Sequence, residues 1–373
     1  MVTIPAYGAL SLQPTDKEIA GEDDRAVIVS TEEGFVMENP HIRALINHRG
    51  EVVSFILKES NREFASEIMN RFHLYKDVPR IYDAWDIDSN YRLQEVEGAF
   101  DITVEVVEQG IEAVLRVKGC ISNSTYTQKI RLAKDSRRLE FDTEVDWKEL
   151  HRLLKVAFPV DIYAENGINE IQFGYMERPT HRSRDYDQDR FEVCNHRYSA
   201  LCDRTHGAAI LNDCKYGISM NDNSLELTLL RASASPEFRA DNGIHQFTYA
   251  FTAWEGSFID CDVVRQAFEL NVPPAVVDGG KLDMSFLQIS QENIMLDTVK
   301  LAEDGSGDMI LRFYEAKKAA TKADIYFRMR NVKAYVCDMM EQITEELLVV
   351  DGEITVPFRA FEIKTIRLST IKE

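Results

Sequence analysis

No run of apolar residues in this chain reaches the length needed to span a bilayer, where about 20 in succession are required. The first residues, MVTIPAYGALSLQPTDKE, have neither the basic start nor the continuous apolar core of a signal peptide. The six cysteines (Cys120, Cys194, Cys202, Cys214, Cys261 and Cys337) form no CxxC pair and follow no regular spacing. Free thiols in a reducing cytoplasm are the simplest account, and the sequon at Asn123-Ser124-Thr125 is then idle. Positive charge is short as well: 43 Lys and Arg stand against 63 Asp and Glu, a formal charge of −20. That balance repels nucleic acid and anionic membrane surfaces. A Gly-rich phosphate loop, HExxH and GxSxG are all missing. None of the eight histidines pairs with another at i, i+4 on a predicted helix, so a preformed zinc site is not expected.

What is present is a chain of 373 residues, 45% hydrophobic and 10% aromatic, enough for two domains with real cores. Residues 1–24, punctuated by Pro5, Gly8 and Pro14, read as a linker or edge strand. From Ala26 onward short β-type runs follow one another. Residues 99–147 contain four with apolar side chains at every second position, which predicts consecutive antiparallel strands with one buried face. So many strands must stack as two sheets or close up. The segment CDVVRQAFELN, with Val263, Val264, Ala267, Phe268 and Leu270 on one face, predicts a short helix. The following NVPPAVVDGG reads as a connection, and about seven short strands after it fit a small immunoglobulin-like sandwich. The expected organisation is all-β: a large domain over 25–271 and a small β-sandwich over 272–373.

Two stretches concentrate polar and aromatic residues. The first is IQFGYMERPTHRSRDYDQDRFEVCNHR, residues 171–197, lying between two apolar runs. β-Scaffolds place ligand chemistry in such loops, although a solvated face of weak ion pairs has the same look. The second surrounds DAWDID, where Asp83, Asp86 and Asp88 flank Trp85 with Tyr75, Tyr82 and Tyr91 nearby. Aromatic faces stack on sugar C–H groups and carboxylates bind hydroxyls. The same composition also suits an aromatic corner packed on the scaffold, with Asp side chains capping turns.

Several motifs in order resemble the C-terminal part of bacterial-type glycoside hydrolase family 38 α-mannosidases. They are VMENPHIRALINHRGEVVSFILKESNREF, DAWDID, IQFGYMERPTHR, RFEVCNHRYSAL, ILNDCKYGIS, HQFTYAF, VVRQAFELN, VKLAEDGSGDMILRFYE and FRAFEIKTIRL. The loop SRDYDQDRF departs from the family's pattern. The resemblance implies a galactose-mutarotase-like β-supersandwich followed by the small sandwich. The nucleophile and the ligands of zinc or another divalent metal belong, in such enzymes, to an N-terminal barrel that nothing here matches. The chain is therefore expected to carry no catalytic or metal-binding residue of its own and to have that barrel as its partner. Phe173, Tyr175, Glu177 and Arg178 are carried over as substrate-facing residues, with Asp83, Trp85 and Asp86 lining the same cleft or bracing the barrel. The implied ligand is an α-mannoside or oligosaccharide; a homo-oligomer stays open. The alternatives are an autonomous mutarotase-like epimerase, using His181 or His196 with Glu177 or Glu192, and a carbohydrate-binding or assembly module without chemistry.

Overall fold

The computed structural model describes residues 4–12 and 25–371. Residues 1–3 and 13–24 of the expected lead-in lie outside the described residues. The chain is all-β and divides into two units. The larger holds residues 25–171 and 176–273; the smaller holds 4–12, 172–175 and 274–371.

Three sheets make the larger unit. Strands Phe100–Glu108, Glu112–Ile121, Ser124–Ala133 and Arg138–Trp147 run as the expected antiparallel meander. A long strand, Gly243–Glu255, then pairs with Arg138–Trp147 and carries the order on through His206–Asn212, Tyr198–Cys202, Asn166–Ile171 and Gly174–Pro179 to complete nine strands. Alternation works as physics demands: in Ser124–Ala133 every second residue is buried. A six-stranded sheet is built on Arg152–Pro159, flanked by Arg71–Lys76 and Ser224–Arg231. A five-stranded sheet covers residues 27–63 and includes the hairpin turn at Asn47–Gly50.

The sheets share one core. Phe158 of the six-stranded sheet stacks on Phe251 of the nine-stranded one at 5.4 Å between ring centres, and Phe55 of the third sheet meets the same ring edge-on at 4.8 Å. The predicted helix is present as Val263–Asn271, with Val263, Val264 and Ala267 buried. The smaller unit is a β-sandwich of a three-stranded and a five-stranded sheet around Phe313, Ile325, Phe327, Val356 and Ile366. In it Gly8–Ala9 pairs with Met284–Ser285.

Candidate functional site

Strand Arg152–Pro159 is buried on both faces from Leu153 onward. Leu154, Val156 and Phe158 point into the common core, so Leu153 and Lys155 occupy the opposite face. There Leu153, Tyr75 and Tyr91 form a separate small cluster, with Ile87 and Phe191 packed against it. Tyr91 comes from the 3-10 turn Ser89–Gln94, and Phe191 from the polar stretch 171–197. The structure thus brings parts of both sequence-predicted stretches over one face of the six-stranded sheet.

A buried ion pair holds them there. Lys155 is inaccessible to solvent; its Nζ donates to Glu192 Oε2 at 2.6 Å and to Thr228 Oγ1 at 2.8 Å. The Ser219 hydroxyl donates to Glu192 Oε2 at 2.9 Å and lies 3.2 Å from the Tyr91 hydroxyl. Thr228 donates to the other Glu192 oxygen. Gly217 leaves room for this carboxylate, since a Cβ there would stand 2.9 Å from Glu192 Oε1. Beside it Arg92 Nη1 donates to Glu226 Oε1 at 2.9 Å. Burial opposes the Arg92 charge, but Glu226 outweighs it and the guanidinium pKa is raised. Burial, and then the Glu226 charge, push the Tyr75 phenol up. A cation and a carboxylate so fully bonded and covered by rings pin two loops to the sheet; they are not poised for proton transfer to a ligand.

The DAWDID loop has its own clamp. Arg231, at the end of Ser224–Arg231, donates from Nε to Asp77 at 2.7 Å. Its Nη2 donates to the backbone carbonyls of Asp83 at 3.0 Å and Asp86 at 2.6 Å, and Nη1 reaches that of Ala84 at 3.4 Å. The Asp83 carboxylate accepts the backbone N–H of Ala234 at 2.7 Å and of Ser235 at 3.0 Å, and meets His151 Nε2 at 3.2 Å. Burial works to raise the Asp83 pKa, but these donors prevail and hold it below the usual carboxylate value. Asp77 is raised, because burial outweighs Arg231. Within the loop, the N–H groups of Trp85 and Asp86 both donate to the carbonyl of Tyr82, which sits at φ +58°. A segment bound this firmly still exposes 74% of Trp85 and 67% of Tyr82. The packed-corner reading therefore fails for Trp85, whereas turn capping describes Asp83 well. Asp86 Oδ1 accepts the N–H of Ile87 at 2.9 Å, again a local turn bond.

The other carried-over residues fall into two groups. Residues 172–175 cluster with the smaller unit. Phe173, at φ +59°, meets Tyr314 edge-on at 5.5 Å, and Tyr175 meets Phe361 at 5.0 Å. Glu177 and Arg178 follow on strand Gly174–Pro179. Arg178 Nη1 donates to Asn169 Oδ1 at 2.7 Å and to the Cys194 carbonyl at 3.1 Å, and burial lowers its pKa. Of the histidines, His181 bonds Ser183 at 2.9 Å and lies 4.0 Å from Asp187. His196 instead meets the Tyr216 ring edge-on. Among the described residues, no three His, Cys, Asp or Glu side chains gather as a metal would require. Sequence reasoning missed Lys155, Arg231 and Asp77. Lys155 had left a signal: one cation inside the apolar run LLKVAFPV.

Residues 37–239 match the model of the glycosyl hydrolases family 38 C-terminal domain, and residues 293–366 match that of the glycosyl hydrolases family 38 C-terminal beta sandwich domain. Alpha-mannosidase 2C1 of Homo sapiens is 33% identical over 99% of this chain and 37% of its own length. Alpha-mannosidase G of Dictyostelium discoideum is also 33% identical, over 89% of this chain and 32% of its own. The chain thus spans about a third of the curated relatives it matches. The crystal structure of an alpha-mannosidase from Enterococcus faecalis V583 superposes with a TM-score of 0.76 at 17% identity, covering 95% of this chain and 44% of that one.

Proposed function

The chain belongs to glycoside hydrolase family 38 through its C-terminal domains, and from that premise we propose that it serves as the non-catalytic β-region of a retaining, metal-dependent α-mannosidase. Hydrolysis in such an enzyme uses two carboxylates, one of them a nucleophile that forms a glycosyl-enzyme intermediate. In this reading the nucleophile and the zinc or other divalent ion belong to a barrel partner, and this chain shapes and partly lines the mannoside site. The observation that carries the reading is the clamped loop 82–86. It is held by Arg231 and Asp83, yet it presents Trp85 and Tyr82 to solvent. Ordering a loop and leaving its aromatic rings wet costs conformational entropy with no folding gain, which suits a surface built for a ligand or partner. Trp85 supplies the ring and Asp83 and Asp86 set its backbone; Phe173 and Tyr175 on the smaller unit, and Glu177 and Arg178 on the larger, are each taken as substrate-facing in the same reading. Six free thiols support placement in the cytoplasm.

The test is direct. The purified chain, supplied with an aryl α-mannoside and Zn²⁺ or Co²⁺, is expected to show no turnover; robust turnover overturns the reading. Exposed Trp85 beside carboxylates also favours a second reading, sugar binding without chemistry. A glycan array separates the two, because retention of mannosides without hydrolysis by any assembled enzyme supports the second.

A further inference from the structure

A cleft of about 240 Å³ opens in the larger unit, and its lining includes none of the residues of loop 82–86. Its walls include Arg49, Glu51, Arg71, Phe72, Tyr126 and Gln128. We propose that this cleft is a separate binding site for one neutral monosaccharide.

Three features select that ligand. The first is polarity without a dominant charge. Two guanidiniums, Arg49 and Arg71, face three carboxylates, Glu51, Glu95 and Glu97, in the lining. An anion would meet a net negative wall, and a cation would meet two arginines, so an uncharged polyol is the fitting class. The second is spare hydrogen-bonding capacity. Tyr126 lines the cleft and is only 5% exposed, so its hydroxyl is a polar group set into the wall. Glu51 commits one oxygen to Asn47 at 2.8 Å; its other oxygen is 3.7 Å from Arg49 Nε and 3.6 Å from Arg71 Nε, too far for short bonds. A buried phenol and a half-engaged carboxylate are what two sugar hydroxyls would satisfy. The third is shape. The Phe72 and Tyr126 rings meet at 88° with centres 5.2 Å apart, giving apolar walls for C–H faces. The floor is firm: Asn70 and Gln128 bond each other at 2.8 Å, and both bond the buried Tyr249 hydroxyl. At this volume, below the roughly 300–1,000 Å³ of drug-sized sites, one ring fits and a chain does not.

The site is independent of the mannosidase reading, and the experiment keeps the two apart. Saturation-transfer NMR on the whole chain, titrated with D-mannose, D-galactose and D-glucose, is expected to show saturable binding of at least one. Tyr126→Phe, which removes only the hydroxyl, and Arg71→Ala, at the half-exposed rim, are each expected to weaken it at least tenfold, with circular dichroism unchanged. Val276→Ala, at an exposed position outside the cleft and the loop, is expected to leave it within twofold. Absence of saturable binding by all three sugars overturns the proposal. So does binding that survives both cleft variants but is lost in Trp85→Ala, which would place the sugar at the loop instead.

Discussion

The two faces of strand Arg152–Pro159 are one residue apart in sequence and opposite in chemistry. Leu154, Val156 and Phe158 enter a core shared by three sheets. Leu153 and Lys155 lie under two loops, with Lys155 bonded to Glu192 and Thr228. Apolar burial is non-directional and tolerates several arrangements of similar volume, so it can hold sheets together without fixing where a loop sits. A buried ion pair has few satisfactory geometries and a heavy penalty for the rest. The difference teaches that the first face makes the fold and the second positions the two loops that cover it.

The sharpest way to break that distinction is to remove half of the ion pair. Lys155→Ala leaves Glu192, whose side chain is 14% exposed, without its cation and is expected to cost about 3–5 kcal/mol, read from urea unfolding. Leu154→Ala on the other face is expected to cost a similar 2–5 kcal/mol, here through an apolar cavity. The two faces part company in the double variant Lys155→Met with Glu192→Leu. It should recover most of the stability, because an apolar pair of like volume replaces a desolvated one. Amide exchange at 190–194 should nevertheless stay faster than in the parent, since the directional bonds are gone. A double variant as unstable as the sum of the singles would show that the second face is simply more core.

How far these faces could be read in advance depended on distance along the chain. Period-two alternation made the meander from Phe100 to Trp147 legible, and a single apolar stripe did the same for Val263–Asn271. Those signals are local. The six-stranded sheet reads instead as a continuous apolar run, because its central strand is covered on both faces. What covers the second face was not legible: Arg231 and Asp77 are 154 residues apart, and Lys155 and Glu192 are 37 apart. No periodicity encodes such pairings. The family motifs and the local composition singled out DAWDID and the stretch 171–197. They could not show that Asp83 turns inward to cap Ala234 and Ser235 while Trp85 turns out.

A smaller effect tests the clamp through its charge. Asp83→Ala at neutral pH is expected to cost about 1.5–3 kcal/mol, the range for hydrogen bonds to a charged group. The folded-state pKa of Asp83 lies below its unfolded value of 3.8. Its contribution is therefore whole above about pH 4 and is lost as pH falls through the folded value. The gap in urea midpoint between parent and Asp83→Ala should accordingly be widest near pH 7 and close towards pH 3. A gap that does not change with pH would mean that the carboxylate charge plays no part in holding loop 82–86.

The smallest effect on stability should come from the most prominent side chain on the site. Trp85 is 74% exposed, and the bonds that fix its loop run through the backbone carbonyls of Asp83, Ala84 and Asp86 rather than through the indole. Trp85→Ala should therefore change unfolding free energy by no more than about 0.5 kcal/mol, as surface substitutions do. If the second face exists to present this ring, the same substitution in an assembled mannosidase must still lower kcat/KM for an aryl α-mannoside by at least tenfold. Stability untouched and turnover lost would separate the two faces by function as well as by chemistry. Equal loss of both would mean that the indole is scaffold, and that the clamp serves the fold alone.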